Sequence, residues 1–114
     1  EIVNLDWLSK DEYFILENFN ETELIIAADI IYDNSLFEAL LTTVALIFKH
    51  SPRCEKFILV NAVRNSDTEQ EFLNMLAKFN LEYCLQVLPH PERFFWKSNE
   101  ILPIKLYCIR SMKK

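Results

Sequence analysis

The stretch LIIAADIIYDNSLF, residues 24–37, decides the fold. Residues 24–28 are apolar at both parities, the pattern of a strand covered on both faces, as in a parallel sheet flanked by helices. The run then meets a carboxylate, Asp29, and three residues later a phenol, Tyr32. Ligands of open α/β sheets bind beyond the carboxyl ends of the strands, so polar groups there are candidates for a site. The plainer alternative is that Asp29 ends the strand while Asp33, Asn34 and Ser35 start the next helix.

Working outward, Ser35-Leu36-Phe37-Glu38 fits a capping box, and Leu36, Leu40, Val44 and Ile47 or Phe48 follow at nearly helical spacing up to Pro52. FILVNAV (57–63) is a second strand apolar on both faces. Ser66-Asp67-Thr68-Glu69 fits another capping box, followed by Phe72, Met75, Leu76 and Phe79. Upstream, residues 1–5 read as the end of a strand, and Ser9-Lys10-Asp11-Glu12 fits a capping box that opens a short helix through Tyr13, Phe14 and Leu16. Downstream, LEYCLQV (81–87) and PIKLYCI (103–109) alternate, as strands nearer an edge do, and antiparallel pairing is open to them. LPHPERFFWKSNEIL connects them irregularly. The order β-α-β-α-β-α-β-loop-β predicts an α/β fold. Its sheet is expected to be mostly parallel, with helices on both faces and an antiparallel strand near the C-terminus.

Composition narrows the function. The 114 residues suit one domain, and 51% hydrophobic with 25% charged residues marks a globular chain. A net charge of -5 argues against general nucleic-acid affinity, which needs a basic surface. No apolar run reaches the roughly 18–20 residues of a membrane span, and no cleavable leader is evident. Cys54, Cys84 and Cys108 are widely spaced and lack a C-x-x-C, so neither a disulfide framework nor a zinc site is expected, and a cytoplasmic setting is. The two histidines add no metal constellation. Glycine is absent, where average usage predicts about eight. Glycine serves tight turns and close backbone approach to cofactors. Together with the abrupt, strand-like start EIVNLDW, its absence leads us to expect residues 1–114 to be one part of a larger domain.

Asp29-Ile30-Ile31-Tyr32, with Phe37 five residues on, resembles the D-x-x-Y-x-x-x-x-[FL] signature of the seven-strand, S-adenosylmethionine-dependent protein-lysine methyltransferases. The surrounding ELIIAADIIYDNSLFEALLTTV is similar to that family's segment nearly residue for residue. NLDW (4–7) resembles its turn after the third strand. ILVNAVRNSDTEQEFLNML (58–76), Pro89-His90 and Phe94-Phe95-Trp96 are similar to the elongation factor 2 lysine methyltransferase branch. The resemblance spans essentially the whole chain. It implies a Rossmann-like sheet from the third strand onward, with the glycine-rich cofactor loop and the ribose-binding acid upstream of residue 1.

The resemblance further implies S-adenosylmethionine as cofactor, near Asp6, Trp7, Ala28 and Asp29, and a protein substrate, elongation factor 2 in that branch. Asp29 and Tyr32 would be catalytic, at the mouth where lysine meets the methyl group. Tyr32, Phe37, Arg64 and Asn65 would meet substrate. Each has a structural alternative: Phe37 as core, Asn65 as a turn residue before the Ser66 box, Trp7 as a packing anchor, Asp6 as a turn residue. His90, between prolines, reads as a loop residue, and Arg93-Phe94-Phe95-Trp96 either forms substrate surface or pins the loop. Two rival readings remain: a noncatalytic interaction module with a truncated methyltransferase-like fold, and half of a dinucleotide-binding oxidoreductase. The D-x-x-Y block offers the latter no nicotinamide contact.

Overall fold

The computed structural model describes residues 12–28, 30–31, 33–62, 65–86 and 104–112. In chain order these form α1 (Glu12–Phe19), β1 (Ile25–Ala28), a 3-10 turn (Asn34–Leu36), α2 (Phe37–His50) and β2 (Phe57–Ala62). Then come α3 (Ser66–Leu76), a second 3-10 turn (Ala77–Phe79), β3 (Leu81–Gln86) and β4 (Ile104–Ser111). The sheet order is β1-β2-β4-β3, with β1 and β2 parallel and β4 antiparallel to both its neighbours. This is the expected α/β class with antiparallel pairing near the C-terminus. The strand expected over residues 1–5, Ser9 of the first capping box and the connection over 88–102 lie outside the described residues.

The core lies on one face of this sheet. Register puts Ile25 beside Phe57, Ala27 beside Leu59, and then Ile109 and Tyr107 across from Phe57 and Leu59. These residues and Leu81 pack under Phe37, Leu40, Leu41 and Val44 of α2 and Phe72 and Leu76 of α3. α1 adds Ile15 to the same cluster. Two expectations need correction. Residues 24–28 are not covered on both sides: Ile26 is 72% exposed and Leu24 is exposed too. The reason is position, since β1 lies at the edge of the described sheet and the described helices pack on one face. Conversely, β4 is not itself at an edge. It lies between β2 and β3, and Tyr107, Cys108 and Ile109 are buried at both parities, as an interior strand requires.

At the start of α1, Glu12 Oε1 accepts from Lys49 Nζ at 2.8 Å and lies 2.7 Å from His50 Nε2. That fastens α1 to the last turn of α2. Without glycine, the turn after α3 uses Asn80 at φ 57°, the non-glycine residue type that best tolerates the left-handed region.

Candidate functional site

Because β1 and β2 are parallel, with Ala28 level with Val60, their carboxyl ends share one rim. Each strand leaves the rim through a side-chain cap. After β1, the buried Ile31 anchors the connection. Asp33, extended at φ -134° and ψ 106°, then accepts at Oδ1 from Ser35 N (3.0 Å) and Ser35 Oγ (2.7 Å). The Ser35 hydroxyl, followed by its backbone N–H, holds the Asp33 carboxyl below the ordinary carboxylate range. The cap is therefore Asp33, with Ser35 as donor. Acceptance by a carboxylate near a helix N-terminus outcompetes the weaker hydroxyl.

After β2, Asn65 (φ -145°, ψ 114°) caps α3, its Oδ1 accepting from Asp67 N at 2.9 Å and Thr68 N at 3.2 Å. The cap thus sits one residue before the expected Ser66 box. Its side-chain oxygen is engaged by two backbone donors, the structural role weighed for Asn65 in the sequence. Phe37 turns inward. It is 0% exposed and meets Phe72 edge-on, with ring centroids 5.2 Å apart, so it belongs to the core. Ala28 is exposed at the strand end. Asp29, Tyr32, Asp6, Trp7, Arg64, His90 and residues 93–96 lie outside the described residues.

Sequence reasoning missed a polar cluster at the carboxyl end of β2. Glu69, 7% exposed on α3, accepts from Tyr107 OH at 2.5 Å and Lys105 Nζ at 2.9 Å. Burial, and then the Glu69 carboxylate, push the Tyr107 phenol above its ordinary range. Asn61, level with Lys105 on the neighbouring strand, is 2% exposed, and its Oδ1 has no hydrogen-bond partner. One signal was available: Lys105 and Tyr107 share parity with Ile109 in PIKLYCI, so a core-facing Ile109 turns both toward α3.

Beside the rim, a cleft of about 650 Å³ runs between the start of α2 and α3, lined by Asn34, Ser35, Glu38, Asp67, Glu71 and Lys78 among others. Asn34 Nδ2 donates to Glu71 Oε2 across it at 3.3 Å. Its three carboxylates outnumber its one ammonium, so it presents a net negative field to an approaching cation. Among the described residues no group of three His, Cys, Asp or Glu side chains could hold a metal ion, and no helix is long and apolar enough to cross a membrane.

Comparison with curated proteins gives no match. A family model described as lysine methyltransferase matches residues 1–79, through β1, α2, β2, α3 and the turn that ends it. That match covers more than half of the chain, which belongs to the lysine methyltransferase family.

Proposed function

We propose that residues 1–114 form the C-terminal part of a class I methyltransferase domain that methylates a lysine of a translation elongation factor, with S-adenosylmethionine as donor. Family membership carries the coarser statement: methyl transfer to lysine, hence a protein substrate. One observation supports the finer reading. The D-x-x-Y segment is the stretch of chain between Ala28, which ends β1, and the cap Asp33, and parallel β1 and β2 end side by side there. That rim is where open α/β sheets hold ligands. The exposed edge of β1 and its outward Ile26 suit a domain whose cofactor-loop half precedes residue 1.

Asp6 and Trp7 would meet the adenine, and Asp29 the remainder of the cofactor. Ala28 fits this role: its exposed side chain is a single methyl group, which permits close approach to the strand end. When bound, the cofactor supplies an electrophilic methyl group on a sulfonium. The chain's own task is to present an uncharged amine in line with it. Free lysine has a pKa near 10.4, so its proton must leave first, and desolvation favours that loss. The acidic cleft draws the cationic side chain to the rim, and Asp29 accepts from the amine and orients it. Tyr32 adds a hydroxyl and a π-face that attracts a cation.

The test is Asp29→Ala in the full-length enzyme, assayed with labelled S-adenosylmethionine and purified elongation factor 2. Turnover should fall by roughly 100-fold or more, with circular dichroism unchanged. Near wild-type turnover would return Asp29 to a strand-end role, whereas label on other proteins but none on the factor would sink the branch assignment alone. Residues 1–114 by themselves should show no calorimetric binding of S-adenosylmethionine, and micromolar affinity would overturn the missing-half reading.

A further inference from the structure

We infer that Cys84 and Cys108 form a reversible dithiol–disulfide site on the sheet face opposite the core, open to low-molecular-weight disulfides. The sequence spaces them far apart, but strand register sets them directly opposite each other on β3 and β4. Directly opposed residues of an antiparallel pair project from the same face. Met112 N donates to Asn80 O at 2.8 Å, one rung beyond Leu81–Ser111. Alternation from that rung makes Glu82–Arg110 and then Cys84–Cys108 hydrogen-bonded pairs. Such a pair has Cα atoms about 5.5 Å apart, inside the roughly 4.4–6.8 Å window of disulfides. Its Cβ atoms, at about 5 Å, must close by about 1 Å, which makes the bond an easily reduced one.

The two sulfurs differ in access. Cys84 is exposed and Cys108 is 6% exposed, yet one cleft of about 400 Å³ is lined by both, together with Glu82, Gln86 and Arg110. Cys84 is therefore the entry thiol and Cys108 the resolving one. The Cys84 thiolate attacks one sulfur of an incoming disulfide RSSR, forming a mixed disulfide and expelling RS⁻, which takes up a proton. The Cys108 thiolate then attacks Cys84 Sγ and expels the second RS⁻. The balance is two protein thiols plus RSSR giving one protein disulfide plus two RSH, with the protein oxidised by two electrons. Closing this ring ties edge strand β3 to interior strand β4 and fixes both ends of the connection over residues 87–103. Cys54 is fully buried on the other side of the sheet, within the core cluster, and serves as an internal control.

The test incubates the reduced 114-residue chain with excess oxidised glutathione, blocks free thiols with N-ethylmaleimide before and after denaturation, and maps the peptides. The expected product is a monomer with Cys84 joined to Cys108, about 2 Da lighter by loss of two hydrogens and restored by dithiothreitol. Cys54 should be blocked only after denaturation, which also reports that the fold is intact. Cys108→Ser should stop at a glutathione adduct on Cys84, and Cys84→Ser should take up none. The inference is overturned if the wild-type chain stops at the Cys84 adduct, cross-links two copies through Cys84, or bonds through Cys54. Stoichiometric zinc uptake that blocks the oxidation would also overturn it, reassigning the pair to metal binding.

Discussion

The two faces of the same sheet have opposite fates. On one, Phe57, Leu59, Tyr107 and Ile109 are sealed beneath α2 and α3; on the other, Ile26 stands in solvent and Ile58 and Val60 are only partly covered. β1 contributes to both, with Ile25 and Ala27 turned inward and Ile26 outward. Four apolar side chains in a row thus say that a strand tolerates burial on both sides; the neighbouring elements decide which side receives it. On the proposed reading, the outward face is what the upstream half of the domain would cover.

The largest expected effect tests this contrast directly. Leu59→Ala removes a fully buried side chain and should cost about 2–5 kcal/mol in urea unfolding of the chain. Ile26→Ala, exposed on the opposite face, should change stability by no more than about 0.5 kcal/mol. Equal costs would mean the outward face is packed after all. In the full-length enzyme the gap should narrow, because Ile26 would then lie under the upstream half.

A smaller effect concerns the polar group inside the covered face. Tyr107 donates to Glu69 with both nearly buried, so Tyr107→Phe should cost about 1.5–3 kcal/mol, the range for hydrogen bonds to charged groups. The pH dependence follows from the raised phenol. Above pH 10 the unfolded chain sheds this proton while the folded chain keeps it, so the stabilisation is complete below pH 10 and fades as pH rises beyond it. Tyr107→Phe should flatten that alkaline decline. An unchanged decline would assign it to other groups that titrate in the alkaline range.

The pattern of failures in the sequence reading follows the same division. Strand and helix positions were legible because they rest on local periodicity: β2 and α2 fall within a residue or two of FILVNAV and the Leu36–Phe48 spacing. What local pattern cannot encode is sheet order. Nothing in PIKLYCI announces that its strand enters between β2 and β3. Two capping boxes differ for a related reason. Ser35 and Glu69 have the right spacing, but Asp33, and Tyr107 with Lys105, offer each of them a charged or buried partner that outcompetes a solvated backbone N–H. At the rim, strand ends and caps were readable, and so was the alternative that made Phe37 core. The Asn61–Lys105–Glu69–Tyr107 cluster was not, because three elements distant in sequence assemble it.

Asn65 sharpens the boundary between rim and core at a smaller scale. As a cap with two backbone donors, Asn65→Ala should cost about 1 kcal/mol, and Asn65→Asp should restore most of it. A substrate contact would show the reverse, with stability unmoved and KM raised in the full-length enzyme.

The smallest effect lies where the covered face ends. α1 fully buries a single side chain, Ile15, and packs Phe19 half-buried against the core; it is tied to α2 by Ser51 Oγ donating to Phe19 O and, at its start, by Glu12 through Lys49 and His50. The Lys49 hydrogen bond, followed by that of His50, holds the Glu12 carboxyl below its ordinary value of 4.5. A lowered carboxylate contributes stability above that ordinary value and loses it as pH falls through the folded one. Acid should therefore release α1 before the sheet, seen as faster amide exchange over Glu12–Phe19 while Leu59 stays protected. High salt should shrink the effect, because the pair is solvent-exposed. Glu12→Gln should remove the dependence on pH without touching the core. If α1 and β2 instead lose protection together at the same pH, the covered face unfolds as one unit, and its contrast with the opposite face extends to α1.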